Sequence, residues 1–188
     1  MAVMKDTTES AAGVPASYPS LRGRPVFVTG GGSGIGAAIA SAFVEQGARV
    51  PFIDLAEAAS RALVQRLADA GHAPPWWRVC DVRDIAALQE AVRDAATELG
   101  DFAVLVNNVA SDDRHTLESV TPAYYDERMA INERPALFAI QAVVPGMKRL
   151  GFGSVINLGS TGWQVKGGGS RATRSPSRRS TASRAAWR

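Results

Sequence analysis

Thr29-Gly30-Gly31-Gly32-Ser33-Gly34-Ile35-Gly36 is the stretch of this 188-residue chain whose residue types most directly suggest chemistry. Glycines at this density let the backbone turn tightly and approach a pyrophosphate closely. They also let a following helix pack against the preceding strand. If a strand precedes the loop and a helix follows, that helix offers unpaired N–H groups and the positive end of its dipole to a phosphate. Gly30, Ser33, Gly34, Ile35 and Gly36 are therefore the candidate phosphate-binding residues. The spacing is Gly-x-x-x-Gly-x-Gly rather than Gly-x-Gly-x-x-Gly, and a glycine cluster alone also describes a flexible loop, so the flanking elements decide. Asp54 follows about twenty residues later, at the end of the next apolar run. A carboxylate there accepts hydrogen bonds from adenosine ribose hydroxyls and repels a 2′-phosphate, which favours NAD over NADP. The plainer alternative is a strand-end aspartate opening a turn.

The elements that must position these residues are legible as alternating short apolar runs and helix-period stretches. Val26-Phe27-Val28 predicts a strand, and Ile35, Ala38, Ile39, Ala42 and Phe43 predict a helix stopped by Gly47. Strands are expected at 49–55, 76–80, 103–106 and 154–158, and helices at 56–70 and 85–99. Residues 122–150 predict a long helical region broken near Pro135. Strands this uniformly apolar are buried on both faces. The fold class expected is α/β, a Rossmann-type doubly wound parallel sheet, incomplete at the C-terminal side. Pro51 sits badly inside a strand, because it removes a ladder hydrogen bond.

Cys80 is the one cysteine, so no internal disulfide can form. That fits a reducing, cytoplasmic setting and gives no cysteine cluster for zinc. No apolar run approaches the ~20 residues of a membrane span. Residues 1–20 lack the apolar stretch of a secretory signal and read as a flexible leader. The net charge of +3 comes from the tail, where Arg171, Arg174, Arg178, Arg179, Arg184 and Arg188 occur without an acid. Removing those six charges leaves residues 1–170 at about −3, so the body carries no sign of a nucleic-acid-binding fold. Residues 170–188 show no apolar period and are expected to be disordered.

Thr-Gly-x-x-x-Gly-Ile-Gly at 29–36 resembles the signature of the short-chain dehydrogenase/reductase family. Other segments follow in the matching order. Cys80-Asp81-Val82 resembles the segment whose Asp and following residue hold the adenine. Val106-Asn107-Asn108-Val109-Ala110 resembles an Asn-Asn-Ala-Gly turn, from which Val109 and Ala110 depart. Asn132 stands where the family places a structural and proton-relay asparagine, and Ser154 to Ser160 resembles the strand that leads to the catalytic serine. The resemblance covers Leu21 to Gly169. It implies that Asp81, Val82 and Asn108 join the cofactor site, and that Ser160 and Asn132 are catalytic. Tyr18-Pro19-Ser20-Leu21, Asp112-Asp113-Arg114-His115, Asp126-Glu127-Arg128 and Val144-Pro145-Gly146-Met147-Lys148 resemble bacterial NAD-dependent sugar dehydrogenases of the D-xylose 1-dehydrogenase type. That implies a small-molecule sugar or alcohol substrate and a homotetramer, with no membrane or nucleic-acid partner.

The resembling mechanism also needs a tyrosine with a lysine four residues later. The lysine lowers the tyrosine's pKa, since a phenol near ~10 is a poor base at neutral pH. The chain's tyrosines are Tyr18, Tyr124 and Tyr125, and four residues beyond them stand Arg22, Arg128 and Met129. The pair is expected about a dozen residues after Ser160, where the chain reads Arg171-Ala172-Thr173-Arg174-Ser175-Pro176-Ser177. Read one base out of frame, Ala172/Thr173 permits tyrosine and Pro176/Ser177 permits lysine, at the required spacing. The expectation is a shortened chain, frame-shifted after about residue 169 and inactive as written. Two alternatives stand beside it: a non-catalytic dinucleotide-binding remnant, and a protein whose Arg/Ser tail binds RNA.

Leu137, Ile140, Val143, Val144 and Met147 are expected to form one apolar face, which in the resembling family helps build the tetramer; a shortened chain would leave it exposed and aggregation-prone. His115 reads as a capping or surface residue, with a substrate contact as the alternative. Trp76 and Trp77 are expected to cover one end of the sheet. Tyr124 and Tyr125 are expected in the core or an interface.

Overall fold

The computed structural model describes residues 16–113 and 115–160. The expected tail at 170–188 and residues 1–15 of the expected leader lie outside them. Within them the chain runs β1 (Val26–Thr29), α1 (Gly34–Glu45), β2 (Phe52–Asp54), α2 (Glu57–Asp69), β3 (Trp77–Val79), α3 (Ile85–Leu99), β4 (Val104–Asn107), α4 (Pro122–Asn132), α5 (Arg134–Leu150) and β5 (Ser154–Asn157). The five strands form one parallel sheet in the order β3-β2-β1-β4-β5. The order reverses between β1 and β4, which opens a crevice at the C-terminal ends of those strands.

Strand periodicity divides the core in two. Val26, Val28, Phe52, Val104 and Val106 face one way and pack against Ala40 and Val44 of α1 and Leu63 and Leu67 of α2. Phe27, Ile53 and Leu105 face the other way, against Leu88, Ala91, Val92 and Ala95 of α3 and Ala139, Val143 and Met147 of α5. Alternate residues therefore serve opposite layers, as a strand buried on both faces requires.

β2 is shorter than expected, and the difference resolves the Pro51 problem. Pro51 precedes the strand, and its carbonyl accepts from Val28 N at 3.0 Å. The long helical region breaks at Glu133 (φ −124°, ψ −53°), where Pro135 cannot donate to the preceding turn. The expected apolar face of α5 is not one face. Val143 and Met147 are buried against α3, whereas Leu137 is 63% exposed on the other side. Residues 16–20, the end of the expected leader, carry contacts to the body. Tyr18 N donates to Gln46 Oε1 at 2.7 Å, and Gln46 Nε2 donates to Ala16 O at 3.1 Å. Trp77 lies on the edge strand β3, stacked on Phe52 at 6.3 Å, with the Arg61 guanidinium over its ring at 5.8 Å.

Candidate cofactor site

Gly30 leaves β1 with φ +68°, and Gly34 opens α1 with φ +52°, both left-handed conformations that an L side chain resists. The loop between them is pinned from below. Gly30 N donates to Ile53 O at 2.7 Å, and Asn108 Nδ2 donates to Gly30 O at 2.9 Å. Thr29 is buried and its hydroxyl accepts from Asn108 N at 3.1 Å. Asn108 thus braces the loop through both its backbone and its side chain.

At Gly31, Gly32 and Gly36 the loop has no room for a side chain. A Cβ on Gly36 would overlap the Gly30 carbonyl oxygen and lie 2.5 Å from Asn108 Nδ2. A Cβ on Gly31 would lie 2.8 Å from Phe52 Cγ. Ser33 precedes α1 in extended backbone and makes no side-chain cap. The first N–H groups of α1, from Gly34, Ile35 and Gly36, are left without intrahelical acceptors. A pyrophosphate would meet both the donors and the close backbone approach it needs, so the residues fit a dinucleotide. Ile35, 69% exposed at this helix start, gives an apolar surface beside those donors.

Asp54 ends β2 and is 9% exposed. Its Oδ2 accepts from Gly32 N at 2.8 Å and its Oδ1 from Ala56 N at 2.8 Å. The carboxylate therefore holds the glycine loop and opens the turn into α2 at once. Each oxygen keeps a second lone pair for a ligand hydroxyl. Asp81 follows β3 and is engaged by its neighbour: Arg83 Nε donates to Oδ1 and Oδ2 at 3.0 and 2.9 Å. That hydrogen bonding holds the Asp81 carboxyl below the usual carboxylate range. The Val82 side chain is buried in the α3 layer, so it contributes packing there.

Asn132 closes α4 and reaches back to the segment after β4. Its Oδ1 accepts from Ser111 N at 2.7 Å and its Nδ2 donates to Ser111 O at 3.0 Å. Replacing it with alanine removes both bonds and should destabilise the protein by about 1–3 kcal/mol. Denaturant midpoints and hydrogen exchange at the Ser111 amide test this; an unchanged amide would show that the pairing does no work. Ser160 lies just past β5, exposed, at the same C-terminal edge of the sheet.

Sequence reasoning missed Arg128. Its side chain is 9% exposed, its Nη1 donates to Ser111 Oγ at 2.8 Å and Asp113 Oδ1 at 3.2 Å, and Nε has no hydrogen-bond partner. Only the segment Asp126-Glu127-Arg128 signalled it, and nothing there signals burial. Tyr124 is not a core residue. It donates to Asp113 Oδ1 at 2.6 Å, meets His115 Nδ1 at 3.0 Å and lies under the Arg128 guanidinium at 5.3 Å. Tyr125 is 41% exposed.

The Tyr124 hydroxyl bond, with Arg128's charge adding, holds the Asp113 carboxyl below the usual range. The same bond pushes the Tyr124 phenol up, the wrong direction for a base at neutral pH. A depressed carboxyl contributes stability above its unfolded value of ~3.9 and loses it as pH falls through the lowered folded value. The Asp113–Tyr124 link should therefore persist at pH 5 and open only in stronger acid. Tyr124→Phe should move the Asp113 titration upward, as read by carboxyl NMR; an unmoved titration would assign the depression to other groups.

Among the described residues no group of His, Cys, Asp and Glu could hold a metal ion, and no helix is long and apolar enough to cross a membrane. The short chain dehydrogenase family profile matches residues 24–172. D-xylose 1-dehydrogenase of Caulobacter vibrioides is 50% identical over 150 residues, which is 80% of this chain and 58% of that protein. The Rhizobium meliloti protein named Probable galactose dehydrogenase GalD is 47% identical over 148 residues, 78% of this chain and 58% of its own. The chain thus spans less than two thirds of these relatives. A solved short-chain dehydrogenase/reductase from Serratia marcescens superposes with a TM-score of 0.77 at 31% identity, covering 86% of this chain and 65% of that one. With its glycine loop at the switch point of a parallel sheet and a family match over most of its length, this chain belongs to the short-chain dehydrogenase/reductase family.

Proposed function

We propose that this chain is the dinucleotide-binding part of an NAD-dependent oxidoreductase acting on a sugar or alcohol hydroxyl, and that as written it binds cofactor without turnover. The observation that carries the reading is the braced, tightly packed glycine loop ahead of an uncapped α1, with the Asp54 carboxylate locked against Gly32. Gly30, Ser33, Gly34, Ile35 and Gly36 would hold the pyrophosphate, Asp54 the adenosine ribose, and Asp81, Val82 and Asn108 the adenine and nicotinamide sides. The nicotinamide, when bound, supplies the hydride acceptor. In a chain with the tyrosine–lysine pair, Ser160 would polarise the substrate oxygen and Asn132 would fix the segment beside it. The 50% identity to a D-xylose 1-dehydrogenase supports a sugar as the substrate class. A cytoplasmic location fits a lone cysteine, Cys80, that is buried and whose thiol is pushed up by burial. A homotetramer is what the family implies for the whole protein.

Titrating the protein with NAD and with NADP, followed by tryptophan fluorescence, tests the reading. NAD should bind at least about tenfold more tightly, since a 2′-phosphate must approach the Asp54 carboxylate. Asp54→Ala should erase that preference and loosen the loop it holds through Gly32. Equal or tighter binding of NADP by the unaltered chain would reject the NAD assignment. No binding of either would reject the remnant as a dinucleotide protein.

A further inference from the structure

We propose that a basic cleft beneath the N-terminal end of β1 is a second anion site, shaped for a diphosphate-bearing small molecule, at the opposite end of the sheet from the glycine loop. The cleft measures about 400 Å³ and is lined by Ser20, Arg22, Arg24, Arg49, Asp101 and Phe152 among others. Pro25 and Arg49 pair there just ahead of the sheet proper, whereas the glycine loop follows the far end of β1. At ~3.3 Å per residue the two places are about 20 Å apart.

Two of the arginines are held in place rather than free to wag. Arg24 Nε donates to Ser20 O, and its guanidinium lies over the Phe152 ring at 4.7 Å. Arg49 Nε donates to Gly23 O at 3.0 Å. In both, Nε is spent on backbone and the terminal nitrogens remain as a pre-positioned fork, the geometry that binds phosphate oxygens two at a time. Arg22 stands beside them, exposed, packed against Gly47.

The charge is not balanced locally. Among the described residues none of Arg22, Arg24 and Arg49 has a carboxylate partner. The one acid in the cleft, Asp101, already has both oxygens taken by Arg149, with Nε at 2.9 Å from Oδ2. Three uncompensated guanidiniums call for more than one negative charge, and the volume suits a diphosphate with a small attached group. The rival explanation is that these arginines only answer the negative ends of α1 and α5, which point this way.

Calorimetric titration with inorganic pyrophosphate at about 0.15 M salt decides between them. The unaltered protein should show, beside any binding at the glycine loop, a site that Arg22→Gln/Arg49→Gln weakens by about tenfold or more per arginine lost. Ser33→Asp, which repels phosphate at the glycine loop, should leave that site intact. Pyrophosphate binding unchanged in the double variant would assign it to the loop or to the arginines of 171–188 and overturn the proposal. Equal competition by chloride at matched ionic strength would overturn it as well. Should the double variant fail to fold, Arg22→Gln alone, at an exposed side chain, carries the same two readings.

Discussion

Gly36→Ala is expected to dismantle the cofactor loop, lowering stability by about 1–3 kcal/mol and NAD affinity by about 100-fold. The added Cβ would overlap the Gly30 carbonyl oxygen, and that oxygen cannot move away. It is bound by Asn108 Nδ2, while Gly30 N is bound to Ile53 O in the central sheet. The strain can be relieved only by lifting α1 from β1, which exposes the fully buried Ala40 and the nearby Val44. Gly34→Ala is the matched comparison. Its Cβ would meet nothing within 4 Å, so the cost is only the left-handed φ of +52°, about 1–2 kcal/mol. Melting curves and NAD titrations of both variants make the test. If Gly36→Ala melts and binds like the unaltered protein, the close packing of α1 on the loop is not what shapes the site.

The second large effect concerns turnover. The 188-residue protein with NAD and D-xylose, or with simple alcohols, is expected to produce no NADH above the blank. A chain rebuilt in the shifted frame, with tyrosine at 172/173 and lysine four codons on, should be active, and removing that tyrosine should cost about 10²–10⁴-fold. None of the tyrosines present offers a substitute. Tyr124 is tied to Asp113, with its pKa raised, and no lysine follows any of the three at the required spacing. NADH production by the chain as written, abolished by Ser160→Ala, would overturn the expectation and require a different base. Resequencing the coding region from codon 160 onward is the companion measurement: a missing or extra base near codon 170 explains the absent pair, and a confirmed frame leaves cofactor binding as the activity to pursue.

Local pattern was enough to read the alternation of strands and helices, the loop at 29–36, Asp54 at a strand end and the break before Pro135. Each of these is a short-range signal: period two or 3.6 in apolar residues, glycine where φ turns positive, proline where a donor is lost. Pro51 conflicted with a strand because strand ends are set by pairing; it lends β1 only its carbonyl, to Val28 N, and the strand itself starts at Phe52. The five apolar residues of α5 could not be sorted by periodicity alone, since their burial depends on where α3 lies across the sheet. Arg128 was invisible for a stronger reason. An arginine in a polar run reads as exposed, and only the return of the segment after β4 onto α4 surrounds it with Ser111, Asp113 and Tyr124. The sequence by itself determined the family, the elements and the place of the glycine loop, because those rest on residues adjacent along the chain. The tertiary structure decided what braces the loop, that Asp54 is held against Gly32, and which arginines cluster. Those depend on residues 20 to 80 positions apart meeting at the ends of parallel strands.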